Sequence, residues 1–209
     1  YEGNEGEEKA KRTFNYNYAG TGIKTTTVFT YDDNNEKLTL SVTYRLEIQD
    51  GDEAGADKRS ITHYTGNEGE EKAQKTYNYN FDGDKVKTTT VFTYHATEDR
   101  LVESVTYRNE AAANEEPTLS ARRSVTLYVG NEGEEKASRT FNYNYAGTGI
   151  KTTTVFTYHP TEERLTESVT YRGQILTVAA EALATKRSVT VYEGNEGEEK
   201  AKRTFNYNY

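Results

Sequence analysis

Lys24-Thr25-Thr26-Thr27-Val28-Phe29-Thr30-Tyr31 returns unchanged at Lys87–Tyr94 and again at Lys151–Tyr158. Consecutive β-branched and aromatic residues lose side-chain freedom in a helix and pack well on a pleated surface, so the octapeptide predicts a strand. Working outward, Gly-Asn-Glu-Gly-Glu-Glu-Lys-Ala begins at Gly3, Gly66, Gly130 and Gly194, in steps of 63, 64 and 64 residues. Ser-Val-Thr-Tyr-Arg begins at Ser41, Ser104 and Ser168, in the same phase. The segment Tyr192–Tyr209 is identical to Tyr1–Tyr18. A fixed period of this length marks one supersecondary unit copied in series. It divides the chain into repeats at 1–63, 64–127 and 128–191, with a fourth opening at 192–209.

Within the first repeat the pattern predicts strands over roughly Lys11–Tyr18, Ile23–Tyr31, Leu38–Leu46 and Arg59–Tyr64. Phe14, Tyr16 and Tyr18 alternate with Thr13, Asn15 and Asn17, and Leu38, Leu40, Val42 and Tyr44 alternate with Thr39, Ser41 and Thr43. That period of two is the mark of a strand with unlike faces. Gly-Asn-Glu-Gly, Ala19-Gly20-Thr21-Gly22 and Asp32-Asp33-Asn34-Asn35 supply turns between them, and Asp82-Gly83 is a strong hairpin signal. The expected fold is all-β: tandem antiparallel hairpins, about four strands per 63–64-residue unit, forming an open elongated sheet or spiral. A propeller-like closed array is the alternative, but propeller blades are shorter and at least about four are needed to close a ring. Phe14, Tyr77, Phe141 and Phe205 are equivalent, as are Tyr18, Phe81, Tyr145 and Tyr209. Exchange of Tyr for Phe at these positions predicts a packing role for the ring. Stacked repeats are expected to bring equivalent rings, and Asn15, Asn78 and Asn142, into ladders.

Hydrophobic residues make up 33% of the chain even with 18 tyrosines counted, well under the roughly 45–50% apolar content of ordinary domains. A thick aliphatic core is excluded, while abundant Tyr, Thr and Val argue against disorder. A net charge of −8 argues against nucleic acid as a partner, because phosphate binding needs clustered Lys and Arg. No apolar run approaches the roughly 20 residues of a membrane-spanning helix, so no membrane insertion is expected. Cysteine is absent, which rules out disulfides and thiolate metal sites. The chain opens on Tyr1 rather than Met and reads as an excerpt or a processed product.

The residues that could carry chemistry do not add up to a site. His63, His95 and His159 have no metal-ligand spacing, and Leu127 and Val191 replace His63 in the other repeats. Asp32-Asp33-Asn34-Asn35-Glu36, Asp50-Gly51-Asp52-Glu53 and Asp82-Gly83-Asp84 match no calcium loop, and the first becomes His95-Ala96-Thr97-Glu98-Asp99 one repeat on. Glu7 and Glu8 follow Gly3-Asn4-Glu5-Gly6 directly and lead into a strand, so no phosphate is cradled there. The expectation is therefore a non-enzyme with no catalytic, cofactor-binding or metal-binding residue and no cofactor. Exposed rings could serve as sugar platforms, but core packing is the favoured reading. Variation concentrates in 46–57, 109–121 and 173–185, where the copies differ in nearly every residue. Sequence freedom on a constant scaffold marks loops, and the third of these segments has the composition of a short helix or a covered loop.

Phe29-Thr30-Tyr31-Asp32-Asp33-Asn34-Asn35-Glu36-Lys37-Leu38, its counterparts Tyr94–Leu101 and Tyr158–Leu165, and Asn78–Val86 resemble YD repeats, the Tyr-Asp hairpins of rearrangement-hotspot proteins and teneurins. The family places Asp after Tyr; here His95 and His159 stand in that place, and the superrepeat is more regular. The resemblance implies a spiralling β shell or fibre on a large secreted bacterial protein, without enzymatic residues. The expected role is a structural module of an extracellular or cell-surface filament. An adhesin reading a glycan or cell-surface target through the variable loops is one alternative, and the wall of a toxin-encapsulating shell is the other. Further copies of the repeat, in the same chain or by end-to-end assembly, are the expected partners.

Overall fold

The computed structural model describes residues 1, 8–32, 36–112 and 121–208. The strands are β1 (Arg12–Tyr16), β2 (Ile23–Tyr31), β3 (Leu38–Arg45), β4 (Lys58–Thr65), β5 (Lys72–Tyr79), β6 (Lys85–Tyr94), β7 (Leu101–Ala112), β8 (Ala121–Val129), β9 (Lys136–Tyr143), β10 (Ile150–Tyr158), β11 (Leu165–Arg172), β12 (Lys186–Glu193) and β13 (Lys200–Asn206). One short helix, α1 (Val178–Leu183), lies in the third variable segment, its N-terminus capped by Thr177. The 13 strands form a single sheet in sequence order, with β1 and β13 at opposite ends of the order. The fold is thus the open antiparallel meander that the repeat predicts, with four strands per repeat, and the ring does not close within this chain.

Two compact units divide the residues: Tyr1–Phe92 with Arg108–Leu119, and Thr93–Tyr107 with Ser120–Tyr209. In the first, Tyr77, Tyr79 and Val86 form a small buried cluster with Ile61 against it. In the second, Val105, Val125 and Phe141 form one cluster, and Val169, Tyr171, Ile175 and Val189 another, which Val155, Ala180 and Ala184 cover. These are thin cores, as the composition requires. The opposite face of the sheet carries hydroxyls instead. Threonines on adjacent strands bond through their side chains at Thr27–Thr43, Thr62–Thr76, Thr126–Thr140, Thr154–Thr170 and Thr190–Thr204, at 2.9–3.0 Å. Each such cross-strand pair contributes roughly 0.2–1 kcal/mol. Ser41, Ser104 and Ser168 meet the hydroxyls of Tyr64, Tyr128 and Tyr192 at 3.1 Å.

Three expectations from the sequence are corrected. First, β1 stops at Tyr16 rather than Tyr18, because the Asn17 N–H turns to the Gly22 carbonyl at 2.8 Å and the Asn17 side chain accepts from the Thr21 N–H at 3.0 Å. Asn80 and Asn144 make the same turn. Second, the rings at that turn are not core: Tyr18, Phe81 and Tyr145 are 110%, 78% and 84% exposed. The Arg45 guanidinium lies 5.0 Å from the Phe81 ring centre. Third, equivalent residues do not stack. Asn15 and Asn78 sit on β1 and β5, four strand spacings or about 19 Å apart. Two of these asparagines instead reach a threonine on the next strand, Asn15 to Thr25 at 3.3 Å and Asn142 to Thr152 at 3.4 Å. The register also drifts. The row Thr27↔Thr43↔Ser60↔Asn78↔Thr88 ends on the counterpart of Thr25. Equivalent positions are therefore offset by two residues, about 7 Å along the strand, per repeat.

The first glycine of the second, third and fourth GNEG turns, Gly66, Gly130 and Gly194, has a steric reason. Gly130 has φ 120°, and a Cβ there would stand 2.6 Å from the Glu134 carbonyl oxygen, whereas Gly133, at φ 81°, faces open space. Gly130→Ala is expected to lower unfolding free energy by more than about 2 kcal/mol, and Gly133→Ala by about 1 kcal/mol, measured by urea denaturation.

Candidate functional site

Beside the threonine pairs of the strands, a second set of recurring side chains gathers at the turns, binding backbone groups and one another. Glu71, which closes the second GNEGEE turn, accepts from the Gly69 N–H at 2.9 Å with one oxygen and from the Leu38 N–H at 2.7 Å with the other. Glu135 does the same with Gly133 at 3.0 Å and Leu101 at 2.7 Å. Glu199 accepts from Leu165 at 2.8 Å. Each glutamate thus fastens the opening turn of one repeat to the third strand of the repeat before it. Burial pushes the Glu71 carboxyl up, but the N–H groups of Leu38, Gly69 and Glu71 itself outweigh it and hold its pKa below the ordinary value. The Leu165 N–H is the largest cause of the same lowering at Glu199.

Beside these hooks lie lysines bracketed by two carboxylates. Lys9 meets Glu36 at 2.9 Å and Glu68 at 2.8 Å; Lys136 meets Glu163 at 2.7 Å and Glu196 at 2.6 Å. The second carboxylate of each set belongs to the following repeat. Tyrosine hydroxyls add further ties, Tyr31 to the Ala10 carbonyl at 3.1 Å and Tyr158 to the Ala137 carbonyl at 2.9 Å.

The first and third variable segments share an anchor although their sequences are unrelated. Thr26 and Thr153 are fully buried. The Thr26 hydroxyl donates to the Leu46 carbonyl at 2.8 Å and accepts from the Ile48 N–H at 3.0 Å. The Thr153 hydroxyl donates to the Gly173 carbonyl at 2.7 Å and accepts from the Ile175 N–H at 3.0 Å. Leu46 and Gly173 both turn the chain there with positive φ, 63° and 73°. A second tie follows. Arg12 pairs with Glu53, and Arg139 pairs with Glu181 at 2.6 Å. In the second repeat β7 runs straight on through Ala112, and the buried Thr89 hydroxyl has no partner among the described residues. Sequence reasoning missed this anchor. Its signal was the constancy of Thr26, Thr89 and Thr153 inside the conserved strand, combined with an arginine retained at 12 and 139 opposite unrelated loops.

The other residues considered for chemistry are dispersed. His95 and His159 sit in turns, each ring near the threonine two residues on, at 3.4 and 3.3 Å. His63 packs edge-on against Tyr77 with ring centres 5.5 Å apart. Among the described residues no group of three or more His, Asp or Glu side chains converges as a metal site. Asp33, Asn34 and Asn35 of the first acidic turn, the first copy of the Gly-Asn-Glu-Gly motif at 3–6 with Glu7, and most of the variable segment 109–121 lie outside the described residues. Asp50 and Glu53 face Lys11 and Arg12, and Asp84 takes the Asn80 side chain at 2.6 Å. A shallow recess lined by Glu193, Gly194, Asn195, Glu198 and Lys200 carries charges of both signs.

No family profile and no curated protein sequence matches the chain. Among solved structures, the crystal structure of TcdB2-TccC3-TEV aligns over 93% of this chain at 12% identity, with a TM-score of 0.38. The chain spans 10% of the length of that protein. A protein with unknown function (BF3112) from Bacteroides fragilis NCTC 9343 aligns over 87% of this chain and 91% of its own, at 8% identity and a TM-score of 0.16. At such scores neither likeness assigns the chain to a family.

The three equivalent threonines give a test with opposite signs. Thr26→Val and Thr153→Val strip two hydrogen bonds from a buried site and should each cost about 2–3 kcal/mol. Thr89→Val removes an unpaired buried hydroxyl and should leave stability unchanged or raise it by about 1 kcal/mol, all read from urea midpoints. The hooks give a pH test. Because the folded pKa values of Glu71 and Glu199 are lowered, the unfolded chain binds more protons in acid. Their contribution is complete above the ordinary carboxylate range and is lost as pH falls through the folded values. Thermal melts should show Tm steady down to about pH 5 and falling below it. Glu71→Gln, which keeps an acceptor oxygen but no charge, should flatten part of that fall.

Proposed function

We propose that this chain is a structural repeat module of a larger extracellular or cell-surface protein, and that it supplies length and rigidity rather than catalysis. One observation carries this reading: each repeat hooks the one before it by the same glutamate, Glu71 to Leu38, Glu135 to Leu101 and Glu199 to Leu165. Side chains that recur in every copy are spent on joining neighbours. A repeat used this way sets a dimension, because each added unit extends the sheet by the same four strands. The resemblance to YD repeats suits such a wall or fibre on a secreted protein, including the wall of a shell around a cargo.

A second reading has its own support. In the third variable segment Leu176 and Val178 are 61% and 78% exposed, on a loop held by Thr153, Ile175 and the Arg139–Glu181 pair. Apolar side chains presented on an anchored loop suit an adhesin that grips a glycan or a cell-surface protein. Binding of the intact chain to glycan arrays or cells, abolished by a double substitution of Leu176 and Val178 to Ser, would favour it.

The scaffold reading is tested by length. Chains extended by one further repeat, copied from 128–191, should gain about 19 Å in maximum dimension by small-angle scattering, from four strand spacings. A chain that stays the same size, or grows equally in all directions, would overturn it.

A further inference from the structure

We infer that the duplicated segment is an exchangeable strand: two copies of this chain join when β13 of one takes the place of β1 on β2 of the other. The segment is built for two neighbours. Its interior copies use both edges, β5 pairing with β4 and β6, and β9 with β8 and β10. Among the described residues β1 pairs only with β2, and β13 only with β12. Because Tyr192–Tyr209 repeats Tyr1–Tyr18, the register is already written. Arg12↔Val28, Thr13↔Thr27, Phe14↔Thr26 and Asn15↔Thr25 become Arg203, Thr204, Phe205 and Asn206 opposite the same four residues of the second copy.

The exchange completes what β13 lacks. Phe141, on β9, lies between Val125 and Thr153 and is 6% exposed, while its counterpart Phe205, paired with Val189 alone, is 45% exposed. Placed opposite Thr26 of another copy, Phe205 gains the second wall that Phe141 has. Asn206 gains Thr25, as Asn142 has Thr152. Lys200 gains Glu36, as Lys136 has Glu163. Simple apposition of the two outer edges offers none of this, since it would set β13 beside β1, a strand against its own copy. Exchange keeps the number of strand pairings constant, because β13–β2 replaces β1–β2. The entropy of association is then opposed by release of the displaced β1 segment and by the second neighbour of β13. Domain swapping is a low-cost route to assembly for this reason.

The chain has no cysteine, so disulfide trapping reads the exchange directly. Thr27→Cys in one chain and Thr204→Cys in another come face to face only in the exchanged register; within one chain Thr27 is opposite Thr13 and Thr43, and Thr204 is opposite Thr190. With oxidised glutathione as oxidant, the mixed T27C–T204C dimer should form at least about tenfold faster than the mixed T30C–T204C dimer. An excess of the 18-residue peptide Tyr192–Tyr209 should suppress it. Equal rates for the two pairs, or no effect of the peptide, would overturn the exchange. Sedimentation of the unsubstituted chain gives a measurement free of the substitutions: assemblies that grow with concentration support the inference, and a single monomer at every concentration refutes it. That outcome leaves the scaffold reading standing, whereas an array that does not lengthen overturns the scaffold alone.

Discussion

A carboxylate that holds two backbone N–H groups at once is the tie on which the other features of this sheet depend. Glu71 takes one donor from its own turn and one from the strand of the preceding repeat. The turn is therefore closed and positioned by a single side chain. With the turn fixed, β4 and β5 run in register, the lysine beside it meets its paired carboxylates, and Tyr64 reaches Ser41. A chain with only 33% hydrophobic residues cannot rely on a deep apolar interior to set these relations. It uses local polar closure, repeated at Glu71, Glu135 and Glu199.

The two faces of the sheet divide the work. On one, small clusters such as Val169, Tyr171, Ile175 and Val189 remove apolar surface from water, and a variable segment lies over part of it. On the other, threonine pairs satisfy one another across strands. The buried threonine under the first and third variable segments, Thr26 or Thr153, links the two tasks, since it sits on the apolar face yet offers a hydroxyl to the backbone that passes over it. Loops of unrelated sequence can be accepted there because a backbone carbonyl and N–H are common to all of them.

The strands, their order and the openness of the sheet were legible from the phase of two octapeptides and one pentapeptide and from the turn residues between them. A threonine-rich run such as Thr25–Val28 has one comfortable backbone state. The environment of individual rings was not legible. Tyr18, Phe81 and Tyr145 continue the alternation of the strand before them, yet the asparagine just ahead of each ends the ladder, and no periodicity records that event. The expectation of stacked like residues failed for a topological reason: a meander places four strands between copies, so the neighbours of Asn15 are threonines. The anchors at Thr26 and Thr153 were legible only as a constant threonine and a retained arginine, because the threonine's own partners are backbone atoms.

The glutamate hook reaches back 33–34 residues, past the fourth strand to the third strand of the preceding repeat, which runs in the direction its own geometry demands. Genetic gain or loss of a complete block of about 64 residues therefore leaves every remaining hook with a partner. Removal of a lone strand reverses the direction of all that follow and carries the turns to the wrong margin of the sheet, and removal of a hairpin leaves a hook facing a strand of the wrong kind. Copy number can thus change during evolution in whole-block steps without redesign at the junctions. Near-identical blocks also offer recombination the matching stretches it needs to make such steps.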